Sequence, residues 1–291
     1  VSESDAASSA EPLEAGAWER VRAELPATLA HYRSEGYAKL GKLASDATLE
    51  ALRARCDAIM RGEIVYEGLF FQHDSRSGRY EDLTLGDGWI GPSLQYRKIE
   101  KLERDPLFAA WIRNAAFETI ARAWIEDAAD HGVTLYRAVL FSKGTDGGTE
   151  LPWHQDGGAF WGIDRPATPQ LWTALDDAPE EAGALIFLPR THLGGLATKN
   201  GGVVPDDKLA TVDVAARSLV VPARAGEVVM VHNDVWHRSS RNSTGKPRRA
   251  LTVCLMSGAT KCRRKKRAPR TFWPVFPARA ATSPSHVGAE E

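Results

Sequence analysis

From residue 133 onward the chain breaks into eight short runs of β-branched and aromatic residues, at 133–142, 153–160, 170–176, 184–188, 218–221, 227–232, 235–239 and 249–256. Gly, Pro, Asn, Asp and Ser cluster between them. Runs of this length, closed by turn residues, read as strands, and eight at such spacing predict a double-sheet jelly roll (a double-stranded β-helix) or a barrel. No helix-length segment separates them and no Gly-rich phosphate loop follows one, which excludes a doubly wound α/β sheet. Helices come first. Trp18, Val21, Leu25, Leu29 and Tyr32 recur at helical spacing, with Pro26 predicting a kink or a break. Residues 36–43 read as a strand, Ser45 as the N-cap of a helix running to about Met60, and 107–129 as a further helical stretch. Between them, 64–92 has scattered glycines and no clear period, a texture that suits a loop lying over a site. The expected class is mainly β, a jelly-roll core supported by N-terminal helices.

At 43% hydrophobic and 26% charged, 291 residues can bury one large core. We divide the chain into a disordered N-terminus (1–15), one domain (16–258, with a helical and loop part at 16–132 and the jelly roll at 133–258) and a basic extension (259–291). No run approaches the length of a membrane span, and the acidic, small-residue start lacks the basic and apolar regions of a secretory signal. Cys56, Cys254 and Cys262 are odd in number and far apart, which argues against a disulfide framework or a cysteine zinc site and for a reducing, cytoplasmic setting. The net charge of -1 hides an asymmetry: 235–289 holds thirteen Lys and Arg and no Asp or Glu. The densest part, Lys261 to Arg270, could bind nucleic acid, but no aromatic interleaving or nucleic-acid module accompanies it, so it reads as a solvated surface turn and the expected partner is a small molecule.

The chemistry concentrates in His154-Gln155-Asp156, with His237 far downstream and Arg248 beyond it. Two imidazoles and one carboxylate can hold one face of a ferrous ion and leave the other open, the coordination of non-haem Fe(II) oxygenases. The tripeptide pattern alone decides little, because His232-Asn233-Asp234 repeats it. Context separates the two. Alternation along 153–160 puts His154 and Asp156 on one face of a strand, and only His154 has a remote partner. His232 competes with His237 for that distal role. We prefer His237, because Ser239 shares its face and the turn at 242–245 can form a hairpin that returns Arg248 alongside. His232 then reads as a structural histidine.

Four ordered motifs make the resemblance specific: Trp153-His154-Gln155-Asp156; Leu171-Trp172-Thr173-Ala174-Leu175-Asp176; Gly183-Ala184-Leu185 through Pro189-Arg190-Thr191-His192; and His237 to Arg248 followed by Arg249-Ala250-Leu251-Thr252. Over roughly 36–256 the chain resembles the phytanoyl-CoA dioxygenase family, whose members use Fe(II), 2-oxoglutarate and O2. The resemblance implies metal ligands His154, Asp156 and His237. It implies that Arg248 clasps the distal carboxylate of 2-oxoglutarate with help from the Ser239 hydroxyl, that Trp172 packs beside that co-substrate and that Lys98 also reaches it. The reaction implied is decarboxylation of 2-oxoglutarate to succinate and CO2, coupled to hydroxylation of an unactivated C–H bond. Related halogenases carry a small residue where Asp156 stands, so its presence favours hydroxylation. The family includes acyl-CoA hydroxylases and natural-product oxygenases. A non-catalytic jelly-roll binding protein is the alternative from another class.

Substrate signals are thinner. Alternation places Leu135, Arg137, Val139 and Phe141 on one strand face, which the resemblance turns inward. A buried arginine needs an anion; for Arg137 this is 2-oxoglutarate, a substrate carboxylate or an internal acid. Phe160, Trp161 and His73, with Phe70 and Phe71, are the remaining candidates for the substrate wall.

Overall fold

The computed structural model describes residues 12–84, 88–265 and 269–279. Helix α1 (Ala17–Glu35) leads into strand β1 (Tyr37–Lys42) and helix α2 (Asp46–Arg61), whose N-cap Ser45 accepts a hydrogen bond from the Thr48 amide, as the sequence predicts. Two strands that the sequence does not announce follow, β2 (Phe70–His73) and β3 (Tyr96–Glu100), then helices α3 (Pro106–Ile112) and α4 (Ala115–Trp124). Asn114 divides the helical stretch by capping α4 through the Phe117 amide. Pro26 does not break α1. It lies on the exposed face, where water can meet the carbonyl that loses its amide partner.

All eight expected strands form: β4 (Val133–Lys143), β5 (Leu151–Gln155), β6 (Gln170–Ala174), β7 (Leu185–Leu188), β9 (Leu219–Val221), β10 (Glu227–Val231), β11 (Trp236–Ser239) and β12 (Arg248–Ser257), with β8 (Gly202–Val203) and β13 (Trp273–Phe276) in addition. Among the described residues they make an eight-stranded sheet, ordered β1-β10-β6-β12-β4-β3-β2 with β13 on β4, and a five-stranded sheet, ordered β8-β5-β11-β7-β9. The two antiparallel sheets form the expected jelly roll. Strand β4 is paired along one edge by β12 and along the other by β3 near residue 140 and by β13 near 134.

The layers follow from residue parity. On β12, Leu251, Val253 and Leu255 pack into a core with Val21, Leu29 and Tyr32 of α1, Leu52 and Ile59 of α2 and Phe108 and Trp111 of α3. The alternate residue Ala250 joins Trp172, Phe187, Val229 and Val231 in a second core between the sheets. Both faces of the large sheet are thus buried, which explains its nearly unbroken apolar strands. Leu13 bridges to Ala44 and is buried, so the described end of the expected disordered segment is held down; the rest of that segment, 1–11, lies outside the described residues.

Two expectations of register are corrected. Arg137 and Leu135 of β4 face consecutive residues of β12, Cys254 and Leu255, so Tyr136 is bulged out and parity inverts there. Leu135 turns to the helical core with Ala138 and Leu140, while Arg137 and Phe141 face the cavity between the sheets. The second correction concerns 235–248. Strand β11 pairs with β5 and β7, and β12 with β4 and β6, so the two belong to different sheets and form no hairpin. The chain crosses between sheets at Asn242, a buried side chain whose amide nitrogen donates to the carbonyls of Lys143, Gly144 and Lys246.

Candidate metal centre

His154 on β5 and His237 on β11 are direct partners in the antiparallel register, so their side chains leave neighbouring strands on one face. Their ring centroids are 4.1 Å apart. Strand β5 ends at Gln155, and Asp156 follows in the turn, with its amide bonded to the Asn233 carbonyl at 2.7 Å. This turn requires glycine at 158, where φ is +114° and a Cβ would lie 2.3 Å from the Asn200 backbone. One ligand atom from each of His154, Asp156 and His237 lies within 4.8 Å of the others. The Asp156 oxygens stand 4.0 Å from His154 Nε2 and 3.6 Å from His237 Nε2.

Each histidine is oriented by its own strand. His154 Nδ1 is 2.8 Å from the Pro152 carbonyl and His237 Nδ1 is 3.0 Å from that of Val235. Carbonyls accept only, so both Nδ1 atoms carry hydrogen and both Nε2 lone pairs are left for a metal. Burial and the neighbouring His237 push His154 down to about 4, which keeps it neutral. Burial works to raise Asp156, but Arg137, the two histidines and a hydrogen bond from Gln170 Nε2 at 2.9 Å outweigh it, and its carboxyl sits far below the usual range. Two imidazole nitrogens and an ionised carboxylate oxygen are a donor set that suits a divalent iron.

The triad lies on the wall of a cavity of about 660 Å³, a volume suited to small organic ligands. Across it, on the other sheet, Arg248 is buried and donates to the carbonyls of Gly183 (3.1 Å) and Ala182 (3.5 Å). Burial lowers its pKa to about 10, and no carboxylate lies within 4.0 Å of it among the described residues. Trp172, 5.9 Å from its guanidinium, and Ser239, from the opposite sheet, also line the cavity. A buried arginine without an ion-pair partner among the described residues, in a cavity that a serine hydroxyl also lines, fits a carboxylate such as that of 2-oxoglutarate. Buried polar atoms without partners on Gln170, Arg137 and Thr252, all residues of the lining, mark the remaining wall as built for a polar guest.

The other expected residues divide. Lys98 lines the cavity and pairs with Glu100 at 2.5 Å. Arg137 also lines it, and its anion is internal: Asp156, at 3.5 Å. Its guanidinium lies 4.8 Å from the Trp161 ring, which stacks in turn on Tyr136 at 4.4 Å. Phe160 is three-quarters exposed at the mouth. His73 lies outside the lining, bonded to Ser93 and packed edge-on against Tyr96; the glycine-rich stretch contributes Gln72, Tyr80, Glu81 and Leu83 instead. His232 takes no part in the triad. It packs against His192 and Tyr32, and burial lowers it to about 4.

Gln170 and Arg97 are among the residues that the sequence reading misses. Gln170 was within reach, because it shares a strand face with Trp172. Arg97 was not, since alternation opposes it to Lys98, yet both line the cavity.

Fold and site together define a non-haem iron, 2-oxoglutarate-dependent oxygenase with an intact His-Asp-His triad. The sequence profile of the phytanoyl-CoA dioxygenase (PhyH) family matches residues 32–250, and the chain belongs to that family. It is 30% identical over 162 residues to phytanoyl-CoA dioxygenase domain-containing protein 1 of Bos taurus, a match spanning 53% of this chain and 54% of that protein. With a phytanoyl-CoA dioxygenase of Arabidopsis thaliana it shares 24% over 254 residues, 78% of this chain and 87% of the relative. Two solved structures share the fold at 17% identity and a TM-score of 0.64: EctD from S. alaskensis with 2-oxoglutarate and 5-hydroxyectoine, covering 94% of this chain and 87% of that one, and the epimerase SnoN with Fe3+, alpha ketoglutarate and nogalamycin RO, covering 90% and 97%.

Proposed function

We propose that the protein hydroxylates an unactivated C–H bond of a small organic acid, of natural-product or amino-acid-like type, with 2-oxoglutarate and O2 as co-substrates. The observation that carries this reading is the opposition of the triad on one sheet to Arg248 on the other, a buried cation with no carboxylate within 4.0 Å among the described residues. His154, Asp156 and His237 would hold Fe(II) by three protein atoms. Iron with 2-oxoglutarate supplies the oxidant when bound: decarboxylation to succinate and CO2 yields two electrons, and the substrate C–H the other two, for reduction of O2.

The protein's part is to bind and orient. Arg137 and Gln170 hold Asp156 ionised and aimed. Arg248, with Ser239, Trp172 and Lys98, is assigned to the co-substrate, whose planar carboxylate suits the guanidinium fork. Phe160 and Trp161 wall the substrate side. The test is anaerobic addition of Fe(II) and 2-oxoglutarate, which should give the weak visible charge-transfer band of the chelate. Admission of O2 should then release succinate, and substrate candidates should gain one oxygen by mass. Folded protein that gives neither band nor succinate would sink the proposal.

A further inference from the structure

Arg97 has no ion-pair partner among the described residues, Asp74 acting on it only from beyond 4.0 Å. It is 8% exposed, lines the cavity and has one side-chain partner, Gln72 Oε1, at 2.6 Å. No carboxylate stands within 4.0 Å of it among the described residues. Its position is built rather than incidental. On β2 and β3, Gln72 faces Lys98 while His73 faces Tyr96, so Arg97 is the extra residue of a β-bulge and turns toward the cavity alongside Lys98 instead of opposite to it. Bulges beside sites re-aim side chains in this way. Gln72 is itself fixed by donating to the Thr84 carbonyl, so the guanidinium is steadied beneath the stretch that brings Tyr80 and Leu83 to the cavity.

Charge matching gives Arg97 its role. Of the buried cations on the wall, Lys98 has Glu100 and Arg137 has Asp156, while Arg97 and Arg248 have no carboxylate within 4.0 Å among the described residues. A 2-oxoglutarate held at the metal by one carboxylate would offer one more, the carboxylate assigned above to Arg248. Strands β12 and β3 are separated by β4, a lateral distance on the order of 10 Å between backbones, so the two arginines enter the cavity from different strands, near enough for Arg248 to feel the charge of Arg97. We propose that Arg97, steadied by Gln72, anchors a carboxylate of the organic substrate, which makes an organic acid the substrate class. The assignment rests on the oxygenase reading only for calling this cavity the reaction chamber.

The experiment is calorimetric titration of Mn(II)- and 2-oxoglutarate-saturated protein with acids and their primary amides as matched pairs: benzoate, phenylacetate, indole-3-acetate and hexanoate. At least one acid should bind about tenfold or more tightly than its amide, the worth of a charge-assisted contact. That preference should fall to about twofold or less in Arg97→Gln and survive in part in Arg97→Lys, while 2-oxoglutarate affinity stays within about twofold of wild type in both. Gln72→Leu, which keeps the guanidinium and removes its brace, should weaken the acid by a few-fold and guards against a folding defect at residue 97. No acid preference in the wild type, or an equal preference in Arg97→Gln, overturns the proposal. So does a loss of 2-oxoglutarate affinity in Arg97→Gln as large as in Arg248→Gln, which would place Arg97 in the co-substrate site. The anaerobic Fe(II) chelate band of the wild type reports on the oxygenase reading separately.

Discussion

The Asp156 carboxylate is held by two side chains, Arg137 at 3.5 Å and Gln170 at 2.9 Å, the Gln170 hydrogen bond being the shorter. Gln170 Nε2 holds one of its oxygens, so Gln170→Leu should lower metal affinity by about 10- to 100-fold with little change in melting temperature, read by calorimetric Mn(II) titration. Arg248→Lys keeps the charge but loses the fork. It should raise the apparent 2-oxoglutarate constant by about tenfold or more, measured on the chelate band, with the metal alone bound as in the wild type. These residues were legible to different degrees for a physical reason. Iron accepts few side-chain types, so two histidines and an aspartate stand out in any sequence, and an arginine for a dicarboxylate nearly as well. Cavity-lining residues are drawn from every type, and only geometry picks out Gln72 or Thr252.

Strand β12 carries two successive arginines with opposite duties. Arg248 faces the cavity, whereas Arg249 turns to the helical side and ties Asp57 of α2 (2.6 Å) and Asp176 (2.8 Å) to the sheet. Arg249→Met should therefore cost about 3 kcal/mol of unfolding free energy in urea and leave 2-oxoglutarate affinity unchanged, the reverse of the pattern at Arg248. Parity reads such pairs well from sequence as long as the strand is regular. It found β12, placed Trp172 and put His154 and Asp156 on one side. It failed at Leu135, where one extra residue inverts the alternation, and at 242–245, where turn chemistry that suits a hairpin instead carries the chain from one sheet to the other; the bulge at Arg97 lies on a strand that the sequence does not announce. Bulges and crossings are decided by pairing between distant segments, so local sequence holds little trace of them. The two-residue β8, made of Gly202 and Val203, has too few side chains to leave any.

For the molecule as a whole, metal ligands on one sheet and the 2-oxoglutarate arginine on the other make bound ligands a tie between layers. Mn(II) and 2-oxoglutarate together should raise the melting temperature by more than the sum of their separate effects, about 2.7 kcal/mol of stabilisation being expected at a hundredfold excess over Kd. Acid should act in the opposite direction through His232, wedged between the helical layer and the loops. Its folded value of about 4 lies below the ordinary 6.5, so in that window the unfolded chain binds the extra proton. Its contribution is complete above pH 6.5 and fades as pH falls toward 4, by about 3 kcal/mol at most. In urea titrations at pH 7 and 4.5, His232→Asn should show the flatter dependence. The pairing of β13 with β4 has a further consequence. Trp273–Phe276 occupies the flank of Val133–Leu135 that β3 leaves open, so a chain cut after residue 258 would present bare amides and carbonyls to any passing strand. Such a fragment should retain the whole iron triad and yet precipitate on standing, because the tail serves this molecule as its guard against self-association.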